Sequence, residues 1–287
     1  MKRYLKYIIM GIVAVTLYTL FFPGKDKEKG KPRDYQTIVE SGILRAVTEY
    51  NSISYFADGD TVSGFHYELL NAFARSKGLT PEIIPEMSFE KRQEGILTGK
   101  YDILANSTIV TSESKDSLLF THPILLNKQV LVQRKPGQEN DSMYIHSQLE
   151  LARKTLHVVK GSPVLLRIHN LSNEIGDTIY IQEVEKYGPE QLLAMVAHGD
   201  IDYTVCDESI AQASINDFPQ LDIKTAISFT QFYSWGVSKH SPILLDSLNA
   251  WLDTYTLTPE FRELQKKFYN KLFFIRFKLQ NLNIFAI

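Results

Sequence analysis

The chain of 287 residues predicts an α/β protein of two lobes, and three features of the sequence carry that expectation. Two segments a hundred positions apart share one pattern: Gly99-Lys100-Tyr101-Asp102-Ile103-Leu104-Ala105-Asn106-Ser107-Thr108 and Gly199-Asp200-Ile201-Asp202-Tyr203-Thr204-Val205-Cys206-Asp207-Glu208. Each turns at Gly, sets an Asp three residues on, runs through a short apolar strand and ends in polar side chains. Short apolar runs also alternate with amphipathic helical stretches, as in parallel sheets covered by helices. Finally, 44% of the residues are apolar, ample for packed cores. A buried strand that opens onto polar groups at its carboxyl end is where open α/β sheets hold ligands. Two such strands, one in each half, predict a cleft between lobes.

The elements follow in order. Residues 42–50 form the first strand, ending in Thr48, Glu49 and Tyr50, and a polar loop with Asn51, Ser52, Ser54 and Tyr55 follows. Gly64 opens a helix to about Lys77, with Leu69, Leu70 and Phe73 on one face, and Gly78 stops it. A strand at 82–85, a helix at 89–97 closed by Gly99, and a strand at 102–105 complete the first unit. Thr111 caps a further helix. Gln129 to Gln133 is a strand ended by Lys135-Pro136-Gly137. The second unit repeats the plan: a strand at 156–159, Lys160-Gly161-Ser162-Pro163, a helix to about Ser172, a strand at 178–184, a helix at 191–198 and a strand at 202–206. Pro189 suits the first turn of that helix. Strands at 223–227 and 232–237 return the chain to the first lobe, and helices at 242–254 and 259–270 close it.

The expected organisation is a signal anchor and tether over 1–34, lobe 1 over 35–134, lobe 2 over 135–228, a return to lobe 1 over 229–270, and a tail over 271–287. Two strands then link the lobes and serve as hinges. Lys2, Arg3 and Lys6 precede an uncharged apolar run from Tyr7 to Phe22, close to the minimum that crosses a bilayer. The positive-inside bias keeps those cations cytoplasmic and exports the rest; cleavage as a signal peptide is the alternative. Lys25 to Arg33 reads as a solvated tether without chemistry.

Composition narrows the function. Lys+Arg 31 against Asp+Glu 33 gives no basic surface for nucleic acid. The single Cys206 leaves no intramolecular disulfide and no Cys-based zinc site, and its place in a buried strand makes it a small hydrophobe. The seven histidines show no ligand spacing, so no metal and no cofactor is expected. No Gly-x-Ser-x-Gly elbow supports nucleophilic catalysis. Trp235 and Trp251 read as core. The ligand-binding candidates are Glu49, Asn51 and Tyr55 after the first strand, Asn106, Ser107 and Thr108 after the third, Gly161 and Ser162 before a helix start, and Asp207 at the end of the second lobe's strand. Backbone N–H groups at Gly161 and Ser162 could hold an anion or carbonyl. Asp207 is the strongest candidate, because an acid at a strand's buried end needs a partner.

The ordered set Gly64-Phe65-x-Tyr67-Glu68-Leu69, Gly99 to Ala105, Thr111-Ser112-Glu113 and Phe120-Thr121-x-Pro123 resembles the bacterial extracellular solute-binding proteins, family 3. Within that group, Gly176 to Tyr180 and Gly199 to Glu208 are most similar to the amino-terminal, non-catalytic domain of membrane-bound lytic murein transglycosylase F. The resemblance covers residues 35–270. It implies a periplasmic-binding-protein-like fold (type II) whose lobes close on a small molecule. In that family an Asp takes the ligand's ammonium, and that position falls on Asp207. An Arg takes the carboxylate, and that position falls on Ser114. Losing such a charge-assisted bond costs at least about tenfold in affinity, so a larger amide- or hydroxyl-rich ligand, such as a peptidoglycan fragment, is expected over a free amino acid.

The transglycosylase's catalytic domain carries Glu-Ser and Gly-Leu-Met-Gln motifs. Here Glu40-Ser41, Glu113-Ser114 and Glu208-Ser209 lie inside the binding lobes, and Gly-Leu-Met-Gln does not occur. The expectation is a monomeric, membrane-tethered binding protein of the cell envelope without catalysis. Its partner would be an ABC permease or a cell-wall enzyme. An enzyme on this fold, a dehydratase, would need an acid and base in the cleft, for which Glu49 and Asp207 are the only candidates.

Overall fold

The computed structural model describes residues 30–137 and 142–269. The expected anchor and the expected 271–287 tail lie outside the described residues, apart from positions 30–34. Among the described residues no helix is long and apolar enough to cross a membrane.

The first lobe begins with α1 (Tyr35–Ser41) and β1 (Ile43–Thr48), then a small hairpin, β2 (Phe56–Asp58) and β3 (Thr61–Ser63). Helix α2 (Phe65–Ser76), β4 (Thr80–Pro85), α3 (Phe89–Leu97) and β5 (Ile103–Ile109) follow. Leu69, Leu70 and Phe73 of α2 are fully buried, the face the apolar spacing predicts. Gly64 caps α2 with φ 143°, and a Cβ there would lie 2.4 Å from the Ser54 carbonyl oxygen. Only glycine fits that approach of helix start to polar loop. Next come α4 (Ser112–Ser117), β6 (Leu118–Phe120) and β7 (Leu125–Asn127). Thr111 caps α4 as expected, its hydroxyl accepting from the Ser114 N–H at 3.1 Å.

The second lobe holds β8 (Gln129–Arg134), β9 (Thr155–Val159), α5 (Val164–Ile175), β10 (Tyr180–Val184), α6 (Pro189–His198), β11 (Thr204–Asp207), α7 (Glu208–Ser214) and β12 (Leu221–Asp222). Then β13 (Gln231–Ser238) re-enters the first lobe, and α8 (Pro242–Tyr255) and α9 (Pro259–Phe268) pack there. Residues 223–227, expected as a strand, form only an isolated bridge, Val130 to Ala226.

The two sheets have matching orders, β4-β1-β5-β13-β6 and β10-β9-β11-β8-β12. In each, the first three strands are parallel, and the fourth runs antiparallel to the third. The lobes are therefore mixed sheets rather than the all-parallel sheets expected. The reason is connectivity: each lobe takes its fourth strand from a chain crossing, and such a strand arrives from the opposite direction.

The first crossing lies between Asn127 and Gln129, because β8 pairs with β11; the strand 129–134 thus belongs to the second sheet, ahead of the 134/135 division expected from the sequence. The second crossing lies between Ile227 and Gln231. The two are tied together. The Gln129 carbonyl accepts from the Ile227 N–H (2.8 Å) and the Ser228 N–H (3.3 Å), and the Gln129 N–H donates to Ser228 Oγ (2.9 Å).

The repeated Gly-x-x-Asp motif has a structural job at the strand end away from the cleft. Asp102 accepts from Arg33 Nε (3.0 Å) and Nη2 (2.5 Å) and from the Arg45 N–H (2.8 Å). Asp202 accepts from Arg134 Nη2 at 2.7 Å, while Arg134 Nη1 donates to the Val196 and Ile201 carbonyls. Arg33 is thus no part of a solvated tether: its planar fork matches a buried carboxylate.

Candidate functional site

The site is built where the carboxyl ends of β1, β5 and β11 meet the crossings. Between the lobes lies an inner cavity of about 80 Å3, which continues past Phe89, Gln129 and Ser162 into an outer groove of about 880 Å3. The lobes touch around it. The Ser52 N–H donates to Glu190 Oε1 of α6 at 2.9 Å, and a Cβ on Gly188 would lie 2.8 Å from Met87 Cε. The small inner space and these contacts describe a nearly closed cleft.

Asp207 ends β11 and is half-buried on the inner cavity. Its Oδ1 accepts a hydrogen bond from the Tyr233 hydroxyl at 2.8 Å. Loss of water pushes its carboxyl up to about 7; Tyr233 opposes the rise and the nearby charge of Glu49 adds to it.

Glu49, from the end of β1, faces the same cavity but is already engaged. Arg92 Nη2 contacts its Oε1 at 2.5 Å, and Arg92 is 4% exposed in the side chain. Arg92 Nη1 donates to the Glu86 and Met87 carbonyls, while its buried Nε has no partner among the described residues. The sequence reading missed Arg92. An arginine among Glu90, Lys91 and Glu94 looks like one side chain of a solvated helix face, and nothing local marks it as buried.

The other candidates separate. Ser107 lines the inner cavity, with Oγ 3.4 Å from His66 Nε2. Trp235 Nε1, which can only donate, points at His66 Nδ1 (2.9 Å), so the His66 proton sits on Nε2 and faces Ser107. Burial holds His66 neutral, lowering its pKa to about 3. Asn51 touches the cavity, but its side chain is spent on the loop: Oδ1 accepts from the Ile53 and Ser54 N–H groups, and Nδ2 donates to Glu49. Asn106 is buried, with Nδ2 3.4 Å from Glu49 Oε1, and stands behind the lining. Thr108 pairs with Ser234 in the sheet.

Tyr55 packs edge-on to Tyr67, 5.5 Å between ring centres, and does not line the cavity; Tyr50 does. Ser162 lines both spaces and Gly161 the outer one. Their N–H groups do not serve as the expected anion site, because Gly161 donates to Glu183 Oε2 (3.0 Å) and Ser162 to the Val159 carbonyl (3.1 Å). Ser114 sits in the outer groove, its hydroxyl held by the Thr111 cap. Cys206 lines the inner cavity, and burial pushes its thiol up, away from reactivity. Gln129, also missed, is 1% exposed at the junction of both spaces. Among the described residues no three or more His, Cys, Asp or Glu side chains group to hold a metal.

The family model for bacterial extracellular solute-binding proteins, family 3, matches residues 44–271. The chain belongs to that family. A membrane-bound lytic murein transglycosylase F of Pseudomonas fluorescens is 26% identical over 242 residues, covering 83% of this chain and 48% of that protein. The chain spans about half the length of the curated relatives it matches. Among solved structures, ArgBP from T. maritima has a TM-score of 0.70 at 23% identity, covering 82% of this chain and 98% of that one. An amino acid ABC transporter substrate-binding protein, AbpA from Streptococcus pneumoniae, bound to L-arginine, has a TM-score of 0.69 at 20% identity, covering 81% and 97%. These likenesses establish the two-lobed fold; the family binds small molecules.

Proposed function

We propose that this chain is a receptor of the cell envelope, tethered through residues 1–34, that closes on a small ligand carrying a cationic nitrogen and does no bond-making chemistry itself. One observation carries the reading: Asp207 stands in the cleft with the Tyr233 hydroxyl donating to its Oδ1 and with a carboxyl raised to about 7. A ligand cation restores the charge that desolvation disfavours. Tyr50, Phe89, Val164 and Ile210 give the ligand's apolar part a surface.

The ligand we favour is not a free α-amino acid. Ser114 holds the position of the family's arginine, and Arg92, the cavity's own guanidinium, is committed to Glu49. A peptidoglycan fragment, rich in amides and hydroxyls, suits that arrangement, and the transglycosylase relatives support a regulatory or sensing role in cell-wall turnover. Closure then presents one surface to a cell-wall enzyme.

A second reading, an amino-acid receptor for an ABC importer, draws on the likeness to AbpA. A dehydratase is the weakest, because Glu49 is held in an ion pair with Arg92. The test is calorimetric titration of the full chain with muropeptides and with a panel of amino acids. Muropeptide binding that is lost in Asp207→Ala supports the proposal. Micromolar binding of a plain amino acid favours the importer reading, and turnover of small hydroxy acids that Asp207→Ala abolishes favours the enzyme.

A further inference from the structure

Gln129 and Asp207 are direct partners in the antiparallel ladder of β8 and β11. Directly opposed residues project from the same face, with Cβ atoms about 4.5–5.5 Å apart. A carboxylate and a carboxamide therefore stand side by side over the inner cavity. The carboxamide is unusual. Gln129 is 1% exposed, yet neither Nε2 nor Oε1 has a hydrogen-bond partner among the described residues. Buried amides are nearly always paired, and leaving one unpaired is costly. The side chain is not needed for the hinge, since the Gln129 backbone alone makes the bonds to Ile227 and Ser228.

Its neighbours show what is missing. Gln133, four residues on along the same strand face, is equally buried, and its carboxamide closes a two-bond ring on the N–H and C=O of a single residue. Nε2 donates to the Ile145 carbonyl and Oε1 accepts from the Ile145 N–H, both at 2.8 Å. Asn127, two residues back, is also satisfied, by Ser209 and the Lys128 N–H. Gln129 offers the same donor and acceptor as Gln133, but to the cavity.

We propose that Gln129 reads a neutral amide of the ligand beside the cationic nitrogen that Asp207 takes, so that the cleft selects α-amino amides and aminoacyl peptides over free α-amino acids. This rests on the receptor reading above and names its ligand class. An amide presents one acceptor and one donor, matching Nε2 and Oε1. A carboxylate in the same place would meet Oε1 acceptor to acceptor, with Glu49 adding like charge, and Arg92 is already occupied. A site built to hydrogen-bond a group rejects the analogue that lacks it, because its own polar atoms are then left unpaired.

The probes are L-leucine, L-leucine methyl ester and L-leucinamide, titrated by calorimetry into the full chain and into Gln129→Leu and Gln129→Glu. The amide is expected to bind the wild type about tenfold or more tighter than the acid, with the ester between them, since it keeps the carbonyl and lacks the N–H. Gln129→Leu, which keeps every hinge bond and removes the orphaned amide, is expected to unfold at the same temperature or higher and to level the three affinities. Gln129→Glu is expected to lose the preference for the amide. The proposal is overturned if the acid binds as tightly as the amide, if the preference survives in either variant, or if no probe binds. A native ligand that copurifies with the wild type, is lost in Asp207→Ala and contains no amide would overturn it while leaving the receptor reading standing.

Discussion

In the proposed receptor, Asp207 is a side chain that trades stability for binding. Its carboxyl is raised from the ordinary value of 3.8 to about 7 in the folded chain, chiefly by desolvation. Between those values the native state keeps a proton that the unfolded chain releases, so this group's contribution to stability falls as pH rises from about 4 to 7 and is level above that. Asp207→Asn is expected to raise ligand-free stability above pH 7 by up to about 4 kcal/mol, to change nothing below pH 4, and to abolish binding of a cationic ligand. Urea denaturation at pH 4 and pH 8 checks the first two, and titration the third. His66 works in the opposite sense. Held neutral with a pKa of about 3, it loses its contribution as pH falls below 6.5. Its loss in His66→Leu would also leave the buried Trp235 N–H unpaired, costing about 1–3 kcal/mol. Arg92→Met is expected to cost about 3 kcal/mol by stranding Glu49 in the cleft, and pairing it with Glu49→Gln should recover much of that.

The paired strand motifs make the same point for elements. Both carry Gly-x-x-Asp, and both Asp residues clamp an arginine, but burial differs. The Asp102 side chain is 0% exposed, whereas Asp202 is 48% exposed. Asp102→Ala should therefore cost about 3 kcal/mol and Asp202→Ala less than about 1 kcal/mol, measured by chemical denaturation. The repeat itself was legible, because its chemistry is local: a turn at Gly, an apolar strand, polar groups at the tip. The Thr111 cap was legible for the same reason, and so was the acid at Asp207. Arg92 and Gln129 were not. One lies among charged residues on a helix and the other at the start of an apolar strand, and only the folded lobes decide that both are buried against the cleft. The strand directions of the fourth positions were hidden too, since a crossing strand has the same alternation of residues in either direction.

At the scale of the molecule, the second unit interrupts the first, and the two crossings are bonded to each other through Gln129, Ile227 and Ser228. In the proposed receptor these short crossings serve as the hinge, and a ligand seated against both lobes would shift the population toward the closed form. Gly188 faces Met87 of the other lobe beside the cavity. Its φ of −83° is open to any residue, so Gly188→Trp should leave each lobe folded while its ring, too large for the exposed tip of Met87 to clear by swinging aside, holds the cleft ajar. Weaker ligand binding with an unchanged unfolding temperature, and a larger radius in solution scattering with ligand present, are the expected results. The central claim is that Asp207 holds a cationic ligand between the lobes. Native mass spectrometry tests it most directly, on wild type and Asp207→Ala exposed to the same envelope extract: the wild type should gain one small adduct containing a basic nitrogen and the variant none, whereas equal occupancy of both proteins, or of neither, would contradict it.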